Sequence, residues 1–161
     1  MADGPRLTLE VAGDVQLDRE LLRWSDRIDD LRPVFEELAD RFLVIEERQF
    51  AGEGRFSGGW PELKSSTIRR RGSAHPILTH KGALRRSLTV KGAKNNIREI
   101  SETSMELGTS DPKAAFHQRG TKRMPQRRPV ELSEYERNKW VKILQTYIVT
   151  GAVLESGRTV Q

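Results

Sequence analysis

Residues 60–129 read WPELKSSTIRRRGSAHPILTHKGALRRSLTVKGAKNNIREISETSMELGTSDPKAAFHQRGTKRMPQRRP, and the order of breakers and apolar residues in this stretch decides the fold. Leu63 to Arg71 has the length of a short helix, which Gly72-Ser73 breaks before Pro76. Thr79 to Leu88 has room for another short helical turn. From Leu88 to Leu107 the apolar residues Leu88, Val90, Ile97, Ile100, Met105 and Leu107 alternate only in part, which predicts two or three antiparallel strands. Lys91 to Asn96 then joins the first pair and Glu102-Thr103 the second. Pro112 to Arg119 reads as a short helix with Asp111 as N-cap, Pro112 in first position and Gly120 just past its end. Thr121 to Pro129 is basic and holds two prolines, so an extended arm or loop is expected.

Upstream, Gly52 to Gly59 carries four glycines and reads as a mobile loop that orders on assembly. Before it, Leu31, Val34, Phe35, Leu38, Phe42 and Ile45 recur at helical spacing. Pro33 is tolerated only in a first helical turn, so this long helix starts near Asp30. Leu21, Leu22, Trp24 and Ile28 form a separate shorter helix over residues 18–29. Leu7, Leu9 and Val11 alternate with polar residues before Gly13-Asp14, the period of a half-buried strand that joins the same sheet.

Downstream, Ser133 and Glu136 have capping-box spacing, and Tyr135, Trp140, Ile143, Leu144, Tyr147 and Ile148 support a terminal helix that Gly151 stops. Residues 152–161 are expected as a flexible tail. The sum is one α+β domain over residues 1–161: a long N-terminal helix on a small antiparallel sheet, a C-terminal helix, and mobile loops. A chain of 161 residues suits a single core that buries about two-thirds of its unfolded surface.

Charge is unevenly spread. Residues 1–54 hold 14 acids and 7 bases, net −7, whereas residues 55–130 hold 5 acids and 17 bases, net +12. A chain with two such regions can dock head to tail on copies of itself, and its basic region can instead face DNA phosphates. Cysteine is absent, so disulfides and thiolate metal sites are excluded. No apolar run approaches the ~20 residues that span a bilayer, and the N-terminus has no signal-peptide pattern, so a soluble protein without membrane contact is expected.

The signs of catalysis are weak. His75 and His80 stand five apart across Pro76, not on one helical face, so neither a metal nor another cofactor is expected. Gly52, Gly54, Gly58 and Gly59 are not followed by the Lys-Ser/Thr of a phosphate-binding loop. His117 has no nucleophile at a recognisable spacing, which leaves a small hydrolase as a minor alternative. Arg69-Arg70-Arg71 and Arg127-Arg128 are able to contact phosphate, but solvation or pairing with acids is the usual fate of such runs. With only Phe56, Trp60 and Phe116 as aromatics in the basic region, base stacking has few platforms. Trp60 with Leu63 reads equally as an anchor that packs the glycine loop on the long helix and as an intersubunit hot spot.

Three segments recur here in a telling order: Trp60-x-x-Leu63-x-x-x-Thr67, then Ile77-Leu78-x-x-x-Gly82-x-Leu84-x-x-Ser87, then Ala114-Ala115-x-His117-Gln118-x-Gly120 followed by Pro125-x-Arg127. In that order and spacing the chain resembles the phage virion morphogenesis family, the tail-completion proteins of Mu-like and other tailed phages. The resemblance implies a structural virion protein at the head-tail junction, without catalysis. It completes the head-proximal end of the tail as a homo-oligomeric ring, and its neighbours are tail-terminator, tail-tube or head-connector proteins. Within the resemblance His117 is a hydrogen-bonding packing residue. The residues singled out for assembly are Trp60, Leu63, Arg69, Arg70, Arg71, His117, Gln118, Arg127 and Arg128. A non-specific DNA-binding protein that uses residues 55–130 is the alternative.

Overall fold

The structure, a computed structural model, describes residues 15–153. Its elements are α1 (Val15–Asp29), α2 (Arg32–Ala51), α3 (Ser65–Arg71), α4 (Ala83–Thr89), β1 (Asn96–Ile100), β2 (Met105–Thr109), α5 (Pro112–Arg119) and α6 (Glu134–Thr150). The fold class is α+β, as read from the sequence. The strand expected at Leu7–Val11 and nearly all of the expected tail lie outside the described residues.

Helix α2 is the axis. Pro33 sits in its first turn, and the Asp30 carboxylate accepts from the Arg32 amide just ahead of it. Two further bonds place this end: the Leu31 amide donates to the Glu102 carbonyl at 2.8 Å, and the Tyr147 hydroxyl to the Asp30 carbonyl at 3.0 Å. Along α2, Val34, Phe35 and Leu38 pack with Ile143 and Tyr147 of α6. Further on, Phe42 and Phe50 pack with Trp60, Ile77, Leu84, Leu88 and Ala114. Trp140 lies against both clusters and joins them into one core.

The sheet has two strands among the described residues, paired antiparallel with Asn96 opposite Thr109 and Ile100 opposite Met105. Leu88 does not start a third strand, because α4 continues through Thr89 and turns both Leu84 and Leu88 inward against α2. Spacing of four residues is a helical contact, and the intervening Ser87 is buried too. The segment from Lys91 to Asn95 therefore joins a helix to a strand, not two strands. Asn96 secures the join, its side-chain amide donating to the Ser87 carbonyl at 2.9 Å. The Ser87 and Thr109 hydroxyls bond at 2.7 Å, which ties α4 to β2.

The local caps match their sequence signals. Asp111 accepts from the Lys113 amide at 3.0 Å ahead of Pro112, and Ser133 accepts from the Glu136 amide at 3.2 Å. Gly151 ends α6 in the left-handed conformation, with its amide on the Tyr147 carbonyl.

Candidate functional site

Two segments expected as loops meet at the end of α2. Gln49, fully buried, turns its carbonyl oxygen toward the Phe56 amide at 2.7 Å and its amide toward the Ser57 hydroxyl and the Arg128 carbonyl. Trp60 packs edge-on against Phe50 with ring centroids 5.3 Å apart, and its indole N–H donates to the same Arg128 carbonyl at 2.9 Å. Gly54 makes this possible. Its φ is +97°, and a Cβ there would stand 2.6 Å from Trp60 Cδ1. The 52–59 turn and the 121–130 arm are thus fastened to one another through α2.

Neighbouring arginines in the arm have opposite fates. Arg127 is 4% exposed, and its guanidinium donates to the carbonyls of Pro61 and Glu62, each at 2.7 Å. Burial lowers its pKa, with partial opposition from the Glu62 charge, yet a guanidinium stays cationic. Arg127 is therefore a fastening inside the subunit and not the surface charge that the basic run led us to expect. Arg128 points outward to Glu131 at 3.1 Å. Gln118 pairs both ways with the Val130 backbone, at 2.9 and 3.2 Å. His117 accepts the Arg127 amide through its carbonyl, while burial first and Arg127 second push its imidazole pKa down.

Leu63, Arg70, Arg71 and His117 border a groove of about 600 Å³ between α3, α4 and α5. Leu63, Leu78 and Leu84 line it together with Arg70, Arg71, Lys81, Lys113, His80 and His117, and among the described residues no acidic one does. Arg71 donates to the Pro76 carbonyl, but its Nε is buried without a partner, as is Nδ1 of His117. Arg69 and Arg70 are exposed on α3. The structure thus gathers Leu63, Arg70, Arg71 and His117 at one site, and sends Trp60, Gln118 and Arg127 into the clamp on the arm.

Sequence reasoning missed Gln49 and Glu46. Both are fully buried in α2. Neither oxygen of Glu46 has a hydrogen-bond partner, and burial pushes its pKa up to about 9. The Glu131 carboxylate adds to that shift, while the Glu131 backbone pulls the other way without a hydrogen bond of normal geometry. The signal was available: Glu46 stands four residues from both Phe42 and Phe50, on the apolar stripe of the helix.

The arrangement fastens separate segments of the subunit to one another. Among the described residues no group of three or more His, Asp or Glu is placed to hold a metal ion, and no helix is long and apolar enough to cross a membrane. No curated protein and no solved structure matches the chain. A family model does, over residues 13–148, a span that includes the clamp, the groove and both core clusters. That span is most of the chain, and the protein belongs to the phage virion morphogenesis family.

Proposed function

We propose that this protein is a structural virion component that completes the head-proximal end of a phage tail and takes part in joining it to the head. The observation that carries this reading is the family match over residues 13–148. In this reading many copies form a ring, and the net −7 region of one subunit meets the net +12 region of its neighbour, so that symmetry multiplies contacts that are individually weak. Tail-terminator, tail-tube or head-connector proteins lie above and below the ring. The protein itself performs no catalysis. The test is genetic: particles made without it should accumulate as filled heads and separate tails. Joined, infectious particles in its absence defeat the reading.

A second reading is non-specific DNA binding, favoured by the cluster of Arg70, Lys81 and Lys113 around a groove without acids. It predicts an affinity for duplex DNA that falls steeply with salt. Purified protein that fails to shift duplex DNA at low salt removes it.

A further inference from the structure

Among the described residues five polar or charged side chains are buried: Glu46, Gln49, Ser87, Asp111 and Arg127. Four of them are satisfied. Gln49 and Arg127 hold the basic arm in place, Ser87 bonds to Thr109, and Asp111 caps α5. Glu46 is the exception, since it is 0% exposed and neither carboxyl oxygen has a hydrogen-bond partner. Buried polar groups in that state are rare in native folds and mark places where structure is held at a cost.

The end of the basic arm lies over Glu46. Gln49, three residues further along α2, donates to the Arg128 carbonyl, and Glu46 meets Glu131, three residues further along the arm. Residues 128–131 therefore cross this face of α2 as a strap. Within it Pro129 is fully buried, and Val130 and the following Leu132 pack against the cluster around Phe42 and Phe50. The Val130 amide donates to the Gln118 side chain at 3.2 Å, and its carbonyl accepts from the same side chain at 2.9 Å.

Charge decides what the strap tolerates. Glu131 is the charged group that acts on Glu46 from a packed element, and its carboxylate is engaged by Arg128 at 3.1 Å and by Arg137 of α6 at 3.7 Å. Neither arginine bonds to Glu46. One turn away on α2 itself stand Phe42 and Phe50, which offer no charge. A neutral carboxyl is tolerated in such a place, whereas a carboxylate would be buried without a cation and set against a second carboxylate. Burial accordingly pushes the Glu46 pKa up to about 9, so the proton is kept at neutral pH.

We propose that Glu46 is a proton-held latch for this strap: with its proton the carboxyl lets residues 128–132 close on α2, and loss of the proton lifts them while the remaining core stays folded. Lifting the strap brings water to the carboxylate and separates it from Glu131. It leaves the second core cluster untouched, because Val34, Phe35, Leu38, Ile143 and Tyr147 include no strap residue. Opening uncovers Val130 and Leu132 together with a carboxylate, a surface that the closed subunit does not present. The latch belongs to a single subunit and does not depend on a ring.

Amide hydrogen exchange of the full-length protein tests it, with the Val130 amide as reporter of the strap and the helical amides of Leu38 and Ile143 as reporters of the core. Measured from about pH 7 to about pH 8.5, above the ordinary His117 range, the protection factor of Val130 should fall about tenfold per pH unit after correction for the intrinsic exchange rate. In Glu46→Gln, which has no proton to lose, it should stay flat. Low concentrations of urea should speed exchange at Leu38 and Ile143 but leave Val130 unchanged, since a local opening exposes little surface. Should Glu46→Gln fail to fold, Glu46→Met carries the same expectation, and the parent protein alone is still decisive. Val130 protection that does not vary with pH overturns the latch, as does the same pH dependence in Glu46→Gln. Exchange of Val130 at the rate and urea dependence of Leu38 and Ile143 also overturns it, because the strap would then open only when the whole domain unfolds.

Discussion

The indole of Trp60 donates to the carbonyl of Arg128 across 68 residues of sequence, at 2.9 Å. The same oxygen accepts from Gln49 at 3.0 Å, so one carbonyl of the basic arm is held by a loop residue and by the central helix. The 52–59 turn and the basic arm are thereby positioned by α2, and several consequences are measurable.

Trp60→Phe keeps an aromatic ring against Phe50 and deletes the N–H, so it should lower unfolding stability by about 1–2 kcal/mol. Trp60→Ala also empties the ring's place in the core and should cost about 3–5 kcal/mol. Urea denaturation reads both. Because Gln49 shares the acceptor, a double-mutant cycle of Trp60→Phe with Gln49→Ala should show a coupling energy of at least about 0.5 kcal/mol. Additive effects would mean that the two donors act independently.

Arg127 and Arg128 should separate cleanly. Arg127→Glu places a carboxylate against the Pro61 and Glu62 carbonyls in a buried site and should destabilise by about 3 kcal/mol or more. Arg128→Glu loses an exposed ion pair with Glu131 and should change stability by no more than about 1 kcal/mol. Thermal unfolding of the two variants decides this, and equal effects refute the assignment of Arg127 to the interior. It follows that assembly or DNA experiments with charge reversal belong on Arg69, Arg70 and Arg128.

Stability should depend on pH through Glu46. Its carboxyl has a pKa of about 9 in the folded chain against an ordinary 4.5, so between these values the unfolded chain releases a proton that the folded chain keeps. Stability then falls as pH rises across that window, by about 1.4 kcal/mol per unit, and levels off on either side. His117 acts in the opposite sense. Its pKa lies below the ordinary 6.5, so its contribution is complete above that value and declines as pH falls beneath it. Above 6.5 only the Glu46 slope remains of the two. Glu46→Gln should therefore gain stability over the parent protein progressively from about pH 7 to pH 8.5, measured by urea midpoints. Parallel pH profiles for the two proteins would show that Glu46 ionises as freely in the folded state as in the unfolded one.

Gly54→Ala should cost about 1–3 kcal/mol or more, since it combines a left-handed φ with a methyl 2.7 Å from the Trp60 backbone nitrogen. Gly58→Ala shares the backbone strain, but its added carbon meets nothing within 4 Å. The difference between the two variants isolates the steric part, and near-ultraviolet dichroism of Trp60 should change only in the first.

Much of this architecture is local and was legible without coordinates. Asp111-Pro112 with Gly120 bounded α5, Ser133 with Gly151 bounded α6, and Pro33 marked the first turn of α2, because each signal acts on backbone groups within one helical turn. The stretch from Leu88 to Val90 misled for a related reason: three residues do not distinguish a strand from the last turn of a helix, and the packing of Leu84 and Leu88 on α2 decides for the helix.

The sequence alone therefore determined most element types among the described residues, the segregation of acidic from basic segments, and the ordered motifs of the virion morphogenesis family. Tertiary structure decided the fate of individual side chains. Arg127 and Arg128 are adjacent and chemically identical, yet only one meets the carbonyls of Pro61 and Glu62, which are 66 and 65 residues away along the chain. Glu46 likewise reads as an ordinary helix carboxylate until the inner face of α2 is covered. Helix caps and breakers act over about four residues, whereas burial and hydrogen-bond partners come from segments that meet only when the core closes.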